Sequence, residues 1–203
     1  MAFPKLYPIT DTRLSRLSHA QQVERFAAGG ATLIQLREKT ASPRRFYEDA
    51  LEAMHVAKSL SVQIIINDRV DIAIAVDADG VHLGQDDLPP EKARVLLGEN
   101  RIIGYSTHDV KQAVAADSMP LDYVAIGPVF QTSTKENPDH VVGLEALRLI
   151  KSQITKPLIA IGGITFEEAP SVLQAGADSL AVISDLFSTD DITSRVREYL
   201  QTL

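Results

Sequence analysis

The sequence predicts an α/β chain closed into a single (β/α)8 barrel, the TIM-barrel architecture. Three observations lead there. Eight short β-branched or aliphatic runs alternate with amphipathic stretches along the 203 residues, the pattern of βα units on a parallel sheet. Short connections such as Ala28-Gly29, Ala78-Asp79-Gly80 and Ala175-Gly176 stand where a helix or turn leads into a strand, as at the bottom of a barrel. Polar residues gather at the opposite junctions, where strands lead into helices and a barrel carries its chemistry. A doubly wound open sheet is the competing arrangement.

Strands are expected at residues 6–10, 32–37, 63–67, 80–83, 102–105, 123–126, 158–161 and 179–183. Helices are expected between and after them at 20–28, 43–60, 68–75, 90–97, 109–116, 144–153, 166–175 and 192–200. No linker, low-complexity tract or charge block divides the chain, so residues 1–203 read as one domain, a normal size for a single core.

Composition narrows the function. An apolar content of 45% fills a core without metal or disulfide, and the absence of cysteine removes thiolate nucleophiles and cysteine-ligated metals. Twenty Lys and Arg against 27 Asp and Glu, net −7, argue against binding nucleic acid or an anionic membrane surface. Neither a secretory signal nor a long apolar span is visible. The expectation is a soluble, cytoplasmic protein acting on small molecules, with a homo-oligomer left open.

The second strand ends in Gln35-Leu36-Arg37-Glu38-Lys39. Period-2 alternation sends Gln35, Arg37 and Lys39 to one side. Two cations and an amide there suit a phosphate or diphosphate, Arg as a planar fork and Lys as a point charge; a solvated strand end paired with Glu38 is the plainer alternative. The third strand, with its unbroken Ile64-Ile65-Ile66 run, leads to Asn67-Asp68-Arg69, and the fourth to His82-Leu83-Gly84-Gln85-Asp86-Asp87. Carboxylates from neighbouring strands then meet at one rim as hard oxygen donors of the kind Mg2+ prefers. Each of Asp68, Asp86 and Asp87 is equally placed to cap a following helix.

The fifth strand runs into Gly104-Tyr105-Ser106-Thr107-His108. No Gly-x-Ser-x-Gly elbow surrounds Ser106, so it reads as a hydrogen-bonding group at the mouth, or as a helix cap, rather than a nucleophile. His108 stays unassigned. The longest irregular stretch, 127–143, carries Thr132, Ser133, Thr134 and Lys135, a candidate anion-gripping lid. After the seventh and eighth strands come Ile161-Gly162-Gly163-Ile164 and Val182-Ile183-Ser184, the two loops where many barrels hold a phosphate on backbone N–H groups.

Taken together, Gln35-x-Arg37-x-Lys39, Ile66-Asn67-Asp68-Arg69, His82-x-Gly84-Gln85-x-Asp87, Gly127-Pro128-Val129-Phe130 with Thr132-x-Thr134-Lys135, Ile161-Gly162-Gly163-Ile164 and Val182-Ile183-Ser184 resemble the thiamine-phosphate synthase family. The resemblance spans nearly the whole chain, and six motifs in order with compatible spacing are specific where one would not be. It implies a (β/α)8 barrel that joins a pyrimidine diphosphate to a thiazole phosphate and releases diphosphate with Mg2+. It further implies Gln35, Arg37, Lys39, Asn67 and Lys135 on the pyrimidine diphosphate, Ser106 near the pyrimidine, and Asp68 with Asp87 on Mg2+. Thr132, Thr134, Gly163, Ile183 and Ser184 would surround the thiazole phosphate. Of these, Arg37, Lys39, Ser106 and Lys135 would take part in catalysis.

The chain starts almost directly at its first strand, without the leading segment many members of that family carry, which leaves the oligomeric state open. Two rivals remain. A thiazole tautomerase of the same fold would need a proton shuttle, with His108 its best local candidate, and generally lacks the Asn-Asp pair and distal Asp that this chain retains. A non-catalytic phosphate-ligand regulator would keep Gly163 and Ser184 and tolerate loss of Asp68.

Overall fold

A computed structural model describes residues 3–132 and 140–203. Alternating apolar segments pair into one parallel sheet in the order β1-β8-β7-β6-β5-β4-β3-β2, comprising β1 (Leu6–Pro8), β2 (Leu33–Leu36), β3 (Gln63–Asn67), β4 (Gly80–Leu83), β5 (Ile102–Thr107), β6 (Tyr123–Ile126), β7 (Leu158–Ile161) and β8 (Ser179–Val182). The sheet closes on itself where Ile9, just past β1, bridges Gln35 in parallel, and Thr10 N–H donates to Gln35 C=O at 2.9 Å. A closed (β/α)8 barrel is therefore the fold, and the open doubly wound sheet is excluded.

Helices α1 (Thr12–Ser15), α2 (His19–Ala28), α3 (Pro43–Leu60), α4 (Val70–Ala75), α5 (Pro90–Leu97), α6 (Val110–Ala116), α7 (Gly143–Lys151), α8 (Ala169–Gln174) and α9 (Ile192–Thr202) occupy the connections and the C-terminus. Local chemistry starts several of them. Ser18 and Gln21 form a reciprocal capping box for α2, Ser42 caps α3 with Pro43 in its first turn, and Asp109 accepts from Gln112 N–H to cap α6. Among the described residues, no helix is long and apolar enough to cross a membrane.

Strand alternation creates two apolar layers. Outward residues such as Leu6, Ile34, Ile64, Ile66, Val81 and Val124 pack against the helices, whereas Tyr7, Ile9, Leu33, Ile65, Ile102, Tyr123 and Ile159 fill the barrel interior. At the bottom, Asp79, Asp122 and Asp178 each stand one residue ahead of β4, β6 and β8. Each accepts from the backbone N–H of the preceding strand, at Ile64, Ile103 and Leu158, at 2.8 Å. The repeated link satisfies a backbone donor at three places around the ring.

Differences from the sequence expectation lie at element ends. Strand β5 runs on to Thr107 because Ser106 and Thr107 pair with Ala125 and Ile126. Helix α4 begins at Val70 rather than 68, and α8 at Ala169 rather than 166. Two short elements have no hydrophobic period to announce them: α1, started by Asp11 accepting from Arg13 and Leu14 N–H, and a 3₁₀ turn at Ser184–Phe187.

Candidate active site

The barrel's upper rim encloses a cavity of about 450 Å3, and every described residue singled out from the sequence lines it. Gln35 stands on β2 with Arg37 and Lys39 just past its end, Asn67 ends β3 with Asp68 next to it, Asp87 is in the loop after β4, and Ser106 is on β5. Thr132 stands on the loop after β6, Gly163 on the loop after β7, and Ile183 with Ser184 after β8. Thr134 and Lys135 lie outside the described residues.

The cations face carboxylates other than Glu38. Arg37 Nη1 lies 3.5 Å from Asp11 Oδ2, and Lys39 Nζ donates to Asp68 Oδ2 at 2.5 Å. Glu38 turns back instead, accepting from the N–H groups of Thr40 and Ala41 at 2.6 and 3.0 Å. Burial pushes its carboxyl up, but the Thr40 and Ala41 donors prevail and hold it at about 2. The plainer pairing with Glu38 is thus absent, and Glu38 braces the loop that carries Lys39.

The helix-cap alternatives for the carboxylates also fail. The N-cap of α4 is Arg69, with no side-chain cap, while Asp68 sits at φ +62°. That left-handed backbone is tolerated by Asp but costs free energy, the kind of local strain that clusters at functional sites. The N-cap of α5 is Pro89, with no side-chain cap either, while Asp87 Oδ2 accepts from Gly84 N–H at 2.7 Å. Burial raises the Asp87 carboxyl above its ordinary range, against the Gly84 N–H, and the adjacent Asp68 raises it further. Beside them, Asn67 Nδ2 is buried without a hydrogen-bond partner, a donor that an incoming oxygen would satisfy.

This pair fits Mg2+. Its oxygens are hard donors, and a divalent cation would relieve the mutual repulsion of Asp68 and Asp87. Among the described residues no third His, Cys, Asp or Glu completes a cluster.

Ser106 is no cap. Its Oγ lies 2.8 Å from His82 Nε2, and His82 Nδ1 lies 2.9 Å from Tyr123 Oη. Burial, with help from Lys39, lowers His82 to about 4 despite Asp68, so the ring is neutral at pH 7. His108 Nδ1 lies 2.9 Å from Gly127 C=O.

On the far wall, Gly163 has φ +69°, and a Cβ there would run into Gln131 C=O and lie 2.8 Å from Phe130 C and O. Only glycine lets these two loops meet so closely. Ser184 opens the 3₁₀ turn, whose next residue, Asp185, is held by Arg195 and Tyr199 of α9.

A model of the family described as "Thiamine monophosphate synthase" matches residues 6–186. The chain belongs to this family. The thiamine-phosphate synthase of Clostridium novyi is 49% identical over 189 residues, covering 93% of each chain, and that of Chloroflexus aurantiacus is 45% identical over 195 residues, covering 96% of this chain and 90% of the other. A thiamine phosphate pyrophosphorylase from Pyrococcus furiosus superposes with a TM-score of 0.88 at 38% identity, covering 98% of this chain and 96% of that one. As a thiamine monophosphate synthase family member the chain is an enzyme, a transferase.

For this family member, the sequence reading passes over Tyr7, Tyr123 and Arg195 and leaves His82 without a role. A tyrosine in a strand reads as core, and only its inward register beside Gln35 or His82 hints at more.

Proposed function

We propose that the chain joins 4-amino-2-methyl-5-(diphosphooxymethyl)pyrimidine to 4-methyl-5-(2-phosphoethyl)thiazole, forming thiamine phosphate and releasing diphosphate. One observation carries the reading. The Asp68–Asp87 pair, with Lys39 on it and the unpartnered Asn67 amide beside it, shares a cavity with the Gly163 and Ser184 loops. Two anion subsites facing each other across one mouth suit two phosphorylated substrates.

The bond that breaks joins the exocyclic methylene to the diphosphate oxygen, and the bond that forms joins that carbon to the thiazole nitrogen. Arg37, Lys39 and Lys135 would hold the leaving oxygens and stabilise charge that grows as they depart, so their benefit is larger in the transition state than before it. Asp68 and Asp87 would hold Mg2+, which when bound supplies further neutralisation of the diphosphate. Asn67 and Gln35 would orient the pyrimidine diphosphate, and Ser106 would contact the ring. Thr132, Thr134, Gly163, Ile183 and Ser184 would seat the thiazole phosphate. The attacking nitrogen has no proton to lose, so the step needs no general base.

The test is incubation of purified protein with both substrates and Mg2+, followed by assay of thiamine phosphate and diphosphate. Stoichiometric appearance of both supports the reading. Neither product with active substrates defeats it.

A further inference from the structure

A row of polar side chains crosses the barrel interior beneath the cavity. Gln35 Nε2 donates to Tyr7 Oη at 3.1 Å, and Tyr7 Oη lies 3.1 Å from Tyr123 Oη. Tyr123 Oη lies 2.9 Å from His82 Nδ1, and His82 Nε2 lies 2.8 Å from Ser106 Oγ. From Gln35 to His82, no member is more than 6% exposed. The row joins five strands and two stretches of chain 116 residues apart. Room for it is built in: Gly104 pairs in register with Tyr123, and a Cβ at Gly104 would run into the Tyr123 ring. The Tyr123 phenol thereby stacks on His82, with centroids 5.5 Å apart and planes at 21°.

With every link made and both buried phenol protons spent within the row, proton counting leaves two self-consistent orders. Each hydroxyl has one proton, a neutral imidazole has one, and each link consumes one. When the Gln35 amide donates to Tyr7, Tyr7 must donate to Tyr123, and Tyr123 to His82 Nδ1. The imidazole then carries its proton on Nε2 and donates to Ser106, whose own proton is left for the cavity. Were the Gln35 carbonyl to face Tyr7 instead, every link would reverse. Ser106 would spend its proton on His82 and offer the cavity only lone pairs. In so dry an interior an unmade link is costly, so the row behaves as a unit.

We infer that Tyr7 and Tyr123 are positioning residues that, with the Gln35 amide as terminal donor, order these protons so that Ser106 meets the substrate as a hydrogen-bond donor. The site then selects a substrate atom that accepts at this place, such as a ring nitrogen, over one that donates. The substrate's identity rests on the function proposed above; the proton order does not.

The first measurement is the tautomer of His82 by 15N NMR on the full, histidine-labelled chain, with the signal assigned by its loss in His82→Asn. The order proposed requires protonated Nε2 and bare Nδ1. Protonated Nδ1 overturns it, whether or not the chain turns over its substrates. The second is a double-mutant cycle. Tyr123→Phe should lower kcat about tenfold with KM nearly unchanged, the scale of one buried hydrogen bond. In a Ser106→Ala background it should cost nothing further. An equal loss in both backgrounds means the phenol acts only through packing and also overturns the inference. Should Tyr123→Phe fail to fold, the wild-type tautomer still decides. Should the wild type make no thiamine phosphate, the proposed function falls while the proton order remains measurable.

Discussion

Arg195 holds Asp185 with both arms of its guanidinium, Nε donating to Oδ2 at 3.1 Å and an Nη to Oδ1 at 3.2 Å, while Tyr199 Oη donates to the same Oδ2 at 2.7 Å. The guanidinium also lies 4.7 Å from the Phe166 ring centroid. Helix α9 thereby ties the loop after β7 to the turn that begins at Ser184. Arg195→Ala should raise KM for the thiazole phosphate by about tenfold and leave KM for the pyrimidine diphosphate within about twofold, on the scale of one lost charge-assisted pair. Steady-state kinetics with each substrate varied in turn checks this. Parallel rises in both constants would mean that the clasp supports the barrel in general.

Asp68 combines a strained backbone, a contact with Lys39 and a repelling neighbour in Asp87. Asp68→Ala should lower Mg2+-dependent turnover about 100-fold or more, as loss of a group stabilising transition-state charge does. Binding of the thiazole phosphate, measured by calorimetry, should change little because its proposed subsite, around Gly163 and Ser184, is on the opposite wall. Equal losses in turnover and in that binding would argue against two separate subsites.

The convergence of Gln35, Arg37 and Lys39 with Asn67 and Asp68 on one rim is legible in the sequence because period-2 alternation and an eightfold count fix both side and end. Asp68 as cap or ligand is not legible, since an Asp ahead of a helix looks the same either way; φ +62° and the cap position of Arg69 exclude the cap. Ser106 reads as lying past the strand because Ser and the Thr that follows are also favoured helix caps, and only pairing with β6 extends β5 through it. The Tyr7–Tyr123 and Arg195–Asp185 links join groups that no local period relates. Their partners are chosen by barrel closure and by the return of α9, which are tertiary facts.

Gly163→Ala meets two penalties at once, a left-handed backbone and overlap with Phe130 and Gln131. Gly98→Ala meets only a backbone penalty, at φ +74° and ψ −177°, a conformation essentially reserved for glycine, with nothing within 4 Å of the added Cβ. Gly98→Ala should therefore cost about 2 kcal/mol and Gly163→Ala about 4 kcal/mol, separating their melting temperatures by about 4–8 °C in a chain of this size. Thermal denaturation of both variants checks it. Coincident melting curves would show that the loop around Gly163 yields without cost.

Glu38 links acid stability to the loop bearing Lys39. Its carboxyl titrates at about 2 in the folded chain against an ordinary value of 4.5. As pH falls below 4.5 the unfolded chain takes up a proton that the folded chain refuses, so the Glu38 contribution is complete above that pH and is lost progressively down to about pH 2. Glu38→Gln, which keeps the shape but weakens the bonds from Thr40 and Ala41 N–H, should cost about 1 kcal/mol at neutral pH, or about 2–4 °C in Tm. The gap between wild type and variant should shrink steadily as the pH is lowered from 5 toward about 3, because protonation removes from wild type what the substitution has already removed. A gap that stays constant over that range would mean that the Glu38 charge contributes nothing to holding the loop.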